Sequence, residues 1–202
     1  MKALIVVDLQ NDFLEGGALA VSDSDKIIPM INEIQPYFDL VVATQDWHPP
    51  HHQSFASEHP GHHVFDLIDL HGLPQVLWPV HCVQNTPGAA FSTQWDSRVV
   101  EAIFRKGMDK TVDSYSGFFD NGKRKDTGLA AYLLGRGVTQ VYVAGLAADF
   151  CVYYSAMDAV DAGFKTYFLD FATQAISQQA LEEAKVEMIK KGIQILNAKE
   201  AL

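Results

Sequence analysis

The chain has 202 residues, 48% of them hydrophobic, with 14 glycines and 8 prolines, the range of a single globular domain over residues 1–202 with a substantial core. Its formal net charge of −10 repels phosphate backbones and anionic lipid surfaces, which argues against nucleic acid or a membrane as partner. The first apolar run, Ala3 to Val7, meets a carboxylate at Asp8 and is too short for a signal-peptide core or a membrane span; the expectation is a cytoplasmic protein with Cys82 and Cys151 as free thiols.

In chain order, the run Ala3 to Val7 predicts a strand, Ser24 to Gln35 a helix and Leu40 to Thr44 a second strand. Trp47 to Trp95 shows little regular pattern, which in a compact domain marks functional loops or a lid. Beyond it, Ala102 to Arg105 predicts a strand, Asp126 to Arg136 a helix and Gln140 to Ala144 a strand. Asp149 to Ala162 (helix), Lys165 to Leu169 (strand), Ser177 to Lys191 (helix) and Gly192 to Leu196 (strand) complete the chain. Alternation of this kind predicts a doubly wound α/β fold with a mostly parallel six-stranded sheet and helices on both faces. A nucleotide-binding module is the rival on such a sheet, but Gly16-Gly17 makes no G-x-G-x-x-G loop.

In open parallel sheets, ligands bind beyond the carboxyl ends of the strands. Asp8 follows the first predicted strand, Asp46 the second and Lys106 the third, and Cys151 opens the helix after the fourth. All four therefore face one crevice. The run Val143 to Cys151 reads as strand, tight turn and first helical turn, where the helix dipole and free N–H groups favour a thiolate and could hold an oxyanion. Asp149 fits an N-cap. Cys82, in a loop after His81, reads as inert, with a Cys82–Cys151 redox pair as the alternative. An acid, an ammonium and a thiol together suit nucleophilic catalysis, with Asp8 as proton acceptor and Lys106 as charge stabiliser.

Asp46-Trp47-His48 offers an oxygen and a nitrogen ligand two residues apart, on one face if extended. With one later histidine they would make a mixed N/O site for zinc, iron(II) or manganese. His51, His59, His62, His63 and His71 read as ordinary surface side chains. Phe13 and Trp78, aromatics in irregular loops near the crevice, could sandwich a flat substrate.

These residues, in order and spacing across nearly the whole chain, resemble the nicotinamidase/pyrazinamidase family of isochorismatase-like cysteine hydrolases. The matching stretches are Val7 to Phe13, Gln45 to Pro49, Ser54 to Ala56, Trp78 to Val83, Lys106-Gly107, Asp113 to Ser116 and Gly145 to Val152. The resemblance implies a catalytic triad of Asp8, Lys106 and Cys151 and one divalent metal on Asp46, His48 and His81. Zinc is the first expectation for that metal, iron or manganese the alternatives, and His52 a possible fourth ligand. It implies aromatic walls from Phe13 and Trp78, with Tyr115 lining the same pocket. It also implies an oxyanion hole from the N–H groups of Ala147 and Cys151 beside a cis Leu146–Ala147 peptide. The implied reaction is hydrolysis of nicotinamide to nicotinate and ammonia through a cysteine thioester, in NAD salvage, with pyrazinamide as an analogue; a homo-oligomer is left open. Superfamily members acting on isochorismate or N-carbamoyl compounds are the nearest rivals, and the Asp46/His48/His81 set argues against them. Ala148 stands where the family commonly has threonine, and Phe150 where it often has tyrosine or histidine.

Overall fold

A computed structural model describes residues 1–202. Strand β1 (Lys2–Val7) leads to helix α1 (Ile27–Ile34) and strand β2 (Leu40–Asp46). A short hairpin of β3 (Leu67–Leu70) and β4 (Leu73–Val76) precedes β5 (Ala102–Lys106), α2 (Leu129–Gly135) and β6 (Gln140–Leu146). Helix α3 (Tyr153–Asp161), strand β7 (Lys165–Gln174), helix α4 (Gln178–Lys190) and strand β8 (Gln194–Leu196) follow. Six strands form one sheet in the order β5-β2-β1-β6-β7-β8, every neighbouring pair parallel.

The period-two alternation of β1 divides the core between the two faces of this sheet. Leu4 and Val6 join Ile27, Ile28, Ile31 and Ile34 of α1 on one side. Ala3, Ile5 and Val7 join Leu129 and Leu133 of α2, Ala156 of α3 and Leu181 of α4 on the other. Helices therefore cover both faces, as the alternation of elements predicts. No helix is long and apolar enough to cross a membrane.

Several expected boundaries shift. β2 runs on through Asp46 and β5 through Lys106, so these two side chains are the last residues of their strands rather than residues after them. They are also register partners. The expected helix from Asp149 begins instead as a wide π-type turn, Ala148–Val152, before α3. Asp149 does not cap it: Ala147 holds the cap position, and the Asp149 carboxylate accepts the N–H groups of Ile176 (3.0 Å) and Ser177 (2.9 Å) before α4. The stretch Trp47 to Trp95 contains the β3–β4 hairpin, which the sequence reading missed. Its two-residue turn, His71-Gly72, has both φ angles positive (54° and 83°), the signature of a type I′ hairpin with glycine second.

The chain reverses direction of winding at β1, with β2 on one side and β6 on the other. The crevice beyond that switch point is where an open α/β sheet binds its ligand.

Candidate active site

Asp8 leaves β1 in the left-handed region (φ 47°), and its carboxylate is buried. Thr44 Oγ1 donates to Asp8 Oδ1 at 2.6 Å, and Lys106 Nζ reaches Asp8 Oδ2 at 2.8 Å. The same ammonium lies 3.2 Å from Asp46 Oδ1 and 3.5 Å from Cys151 Sγ, and donates to the Ser114 carbonyl at 3.0 Å. All of these side chains are buried.

One buried ammonium thus faces two carboxylates and a thiol, and the charges settle unequally. Burial, with Asp46 adding to it, outweighs the pull of Lys106 and raises the Asp8 carboxyl above the usual aspartate range. Burial would also raise Asp46, but His48 and Lys106 prevail and hold it well below that range. Lys106 stays charged: burial opposes this, but Asp46 and Asp8 push its value well up. Burial, against the attraction of Lys106, pushes the Cys151 thiol well above the ordinary cysteine range.

Beside this cluster, Asp46, His48 and His81 bring one oxygen and two nitrogens within 4.8 Å of one another. Asp46 Oδ2 is 3.0 Å from His48 Nε2 and 3.3 Å from His81 Nε2. The Nδ1 atoms of both rings are spent on carbonyls, Gly107 O at 2.9 Å and Pro79 O at 2.8 Å. A carbonyl only accepts, so each Nδ1 carries a hydrogen, and in the neutral ring the Nε2 lone pair points at a carboxylate. His48 Nε2 is buried and makes no hydrogen bond, while Asp46 Oδ1 faces the Lys106 ammonium and Oδ2 faces the two imidazoles. Lone pairs converging on an anion, with a carbonyl holding each ring from behind, are what a divalent cation requires; the residues fit the metal.

Glycine is required next to this set. A Cβ on Gly107 (φ 66°) would lie 2.5 Å from His48 Cε1 and 2.8 Å from Asp46 Oδ1. Gly145 (φ 118°) meets the same demand behind Cys151, where a Cβ would fall 2.1 Å from the Val7 carbonyl oxygen of β1.

Cys151, Asp46 and His81 line one cavity with Phe13, Trp78, Tyr115 and Ala147, and Leu19, Asp113, Phe150 and Ile176 complete its wall. Phe13 arrives on a 3-10 turn, Asn11–Phe13. Trp78 is pinned by backbone bonds to Ser54 and Ala56, and its ring meets Phe150 edge-on at 4.9 Å. The Leu146–Ala147 peptide is cis. His48, Asp8 and Lys106 stand behind the lining residues, and His52 packs against His48 with ring centroids 4.3 Å apart. Burial and the neighbouring His48 lower the His52 value from its usual range. The other five histidines lie outside the site, His59 half-buried and His51, His62, His63 and His71 exposed. Cys82 and Cys151 are free, and burial pushes the Cys82 thiol well up.

Sequence reasoning missed the polar groups that hold this site. Besides Thr44, Gln10 brackets Asp46 by donating from Nε2 to its carbonyl and accepting its N–H at Oε1, both at 2.8 Å. Asp12 Oδ2 accepts the N–H of Cys82 at 2.7 Å and so anchors the His81 loop. Gln75 of β4 donates to Asp113 Oδ2 (3.0 Å) and to the Tyr115 hydroxyl (3.1 Å). Asp12 and Gln10 lie in the stretch Leu9 to Phe13, whose polarity beside a strand end was the available signal.

An isochorismatase domain model matches residues 2–200. A nicotinamidase of Acinetobacter baylyi is 47% identical over 99% of this chain and 94% of its own length. The solved structure of an Acinetobacter baumanii nicotinamidase/pyrazinamidase superposes with a TM-score of 0.97 at 45% identity, covering 100% of this chain and 98% of that one. A Pyrococcus horikoshii pyrazinamidase solved in complex with zinc superposes with a TM-score of 0.80 at 41% identity, over 98% of this chain and 99% of its own. The chain belongs to the isochorismatase family, in its nicotinamidase/pyrazinamidase branch.

Proposed function

We propose that this chain, one domain over residues 1–202, is a nicotinamidase that hydrolyses nicotinamide to nicotinate and ammonia. Pyrazinamide, which keeps the ring nitrogen and the carboxamide, is a second substrate. The observation that carries this reading is the shared cavity, where a thiol backed by a buried lysine and aspartate opens beside a cation-ready oxygen and nitrogen and between aromatic rings.

Phe13, Trp78 and Tyr115 hold the flat ring and exclude water. Asp46, His48 and His81 would hold a divalent cation, zinc first, which would supply Lewis-acid chemistry beside the bound ring. Asp8 takes the Cys151 proton as Sγ bonds to the amide carbon, and Lys106 offsets the charge that develops on sulfur. The N–H groups of Ala147 and Cys151 hold the oxyanion. Protonated Asp8 returns its proton to the departing nitrogen as the C–N bond breaks, releasing ammonia and leaving a thioester. Asp8, ionised again, deprotonates the water that attacks the thioester, and nicotinate leaves as the thiol re-forms. The reading places the enzyme in the cytoplasm, in NAD salvage, with its thiols reduced.

The test is ammonia release from nicotinamide by metal-replete protein, with Cys151→Ala alongside. Release by the native protein alone is expected. Release by both proteins would remove Cys151 as nucleophile, and release by neither would send the search to other small amides.

A further inference from the structure

Resting on the reading of Trp78 as a wall of the substrate cavity, we propose that Phe65, which stands outside that cavity, is a positioning residue that braces the Trp78 ring and so sets the affinity for a flat aromatic amide.

The backbone at Phe65 is in conflict with its side chain. Asp66 N–H donates to the His63 carbonyl at 3.2 Å, so His63 to Asp66 form a β-turn that enters β3. Phe65, the third residue of that turn, has φ 73°, whereas φ of Val64 is not positive. A positive φ at the third residue alone marks a type II turn, whose third position ordinarily takes glycine or asparagine because a Cβ is strained there. Two backbone hydrogen bonds hold the turn in place. Phe65 N–H donates to the Leu77 carbonyl at 2.6 Å, and Leu77 N–H to the Asp66 carbonyl at 2.8 Å. Phe65 is also 58% exposed. A large apolar ring thus sits where both the backbone and the solvent disfavour it, and strain of that kind points to a function.

The aromatic partner of that ring is Trp78, met edge-on with centroids 6.0 Å apart and planes at 89°. Bonds to Ser54 and Ala56 fix the Trp78 backbone and leave the indole to its neighbours. Three rings meet it edge-on: Phe150 at 4.9 Å, Tyr115 at 6.1 Å and Phe65. Phe150 and Tyr115 line the cavity, and Phe65 does not. Trp78 is only 4% exposed beneath its half-exposed cover. Phe65 therefore supports the wall without touching the substrate. Removing its ring frees the indole to tilt, which weakens binding of the flat ring and leaves the chemistry at Cys151 untouched.

The test compares wild type with Phe65→Tyr, Phe65→Ala and Phe65→Gly in KM and kcat for nicotinamide and in melting temperature. Acrylamide quenching of tryptophan emission is measured on the same proteins, with Trp78→Phe as the reference that isolates the share of Trp78. Phe65→Ala removes the ring and keeps the strained Cβ, and Phe65→Gly removes both. Both are expected to raise KM roughly three- to tenfold with kcat within twofold, and to make Trp78 more quenchable. Phe65→Gly should melt above Phe65→Ala, and Phe65→Tyr should match wild type in KM and quenching. Unchanged KM or unchanged quenching in Phe65→Ala and Phe65→Gly would overturn the inference. So would a kcat that falls as far as KM rises, a Phe65→Tyr protein that behaves as Phe65→Ala does, or a Phe65→Gly protein that melts no higher than Phe65→Ala. No ammonia release by wild type would instead overturn the substrate assignment, and quenching would still decide whether Phe65 braces Trp78.

Discussion

Lys106 and Asp46 end adjacent strands in register, and the lysine ammonium reaches Asp46 Oδ1 at 3.2 Å while holding Asp8 Oδ2 at 2.8 Å. One ammonium therefore serves two buried carboxylates. Replacing it by methionine leaves the Asp8 carboxylate buried without a counter-charge, a class of change that costs about 3–5 kcal/mol. Lys106→Met should lower the urea midpoint accordingly and abolish turnover. A variant of wild-type stability would show that the carboxylate finds another partner.

The raised Asp8 carboxyl sets a pH limit. Asp8 must be ionised to take the Cys151 proton, so kcat/KM should fall as pH drops through the raised Asp8 value, above the ordinary aspartate range. The assay is run with metal content measured at each pH, because acid also protonates histidine ligands. An acid limb at or below the usual aspartate value in metal-replete protein would remove Asp8 as the base.

Gly107→Ala forces a Cβ into His48 and Asp46 at a left-handed φ. The backbone strain costs about 1–3 kcal/mol, and the ligand pair must part to admit the methyl group. Purified Gly107→Ala should carry less than stoichiometric metal by elemental analysis and melt at a lower temperature. Full metal content would show that the loop relaxes around the added carbon.

Phe13→Leu keeps an apolar side chain but removes a ring face from the cavity. Loss of an aromatic contact worth ~1 kcal/mol should raise KM for nicotinamide roughly fivefold with little change in kcat. An unchanged KM would take Phe13 out of the substrate wall.

Much of this protein is written locally. The β-branched and apolar runs at Ala3, Leu40, Ala102, Gln140 and Lys165 specify strands by their own periodicity, and strand ends in a parallel sheet converge on one edge. Asp8, Asp46, Lys106 and Cys151 could therefore be brought together from their places in the order of elements. Tertiary structure alone decided what those groups do to each other. Thr44 and Asp8 are 36 residues apart and Gln75 and Asp113 are 38 apart, and such polar pairs leave no periodic trace. The Asp149 carboxylate, set by sequence to cap its own helix, serves residues 27 and 28 positions on because the π-type turn moves the cap to Ala147. The Cys151 thiol is pushed up by burial, a property of the whole fold, against the pull of Lys106. That His48 and His81 both offer a lone pair depends on carbonyls delivered by Gly107 and Pro79, and only the folded loops place those.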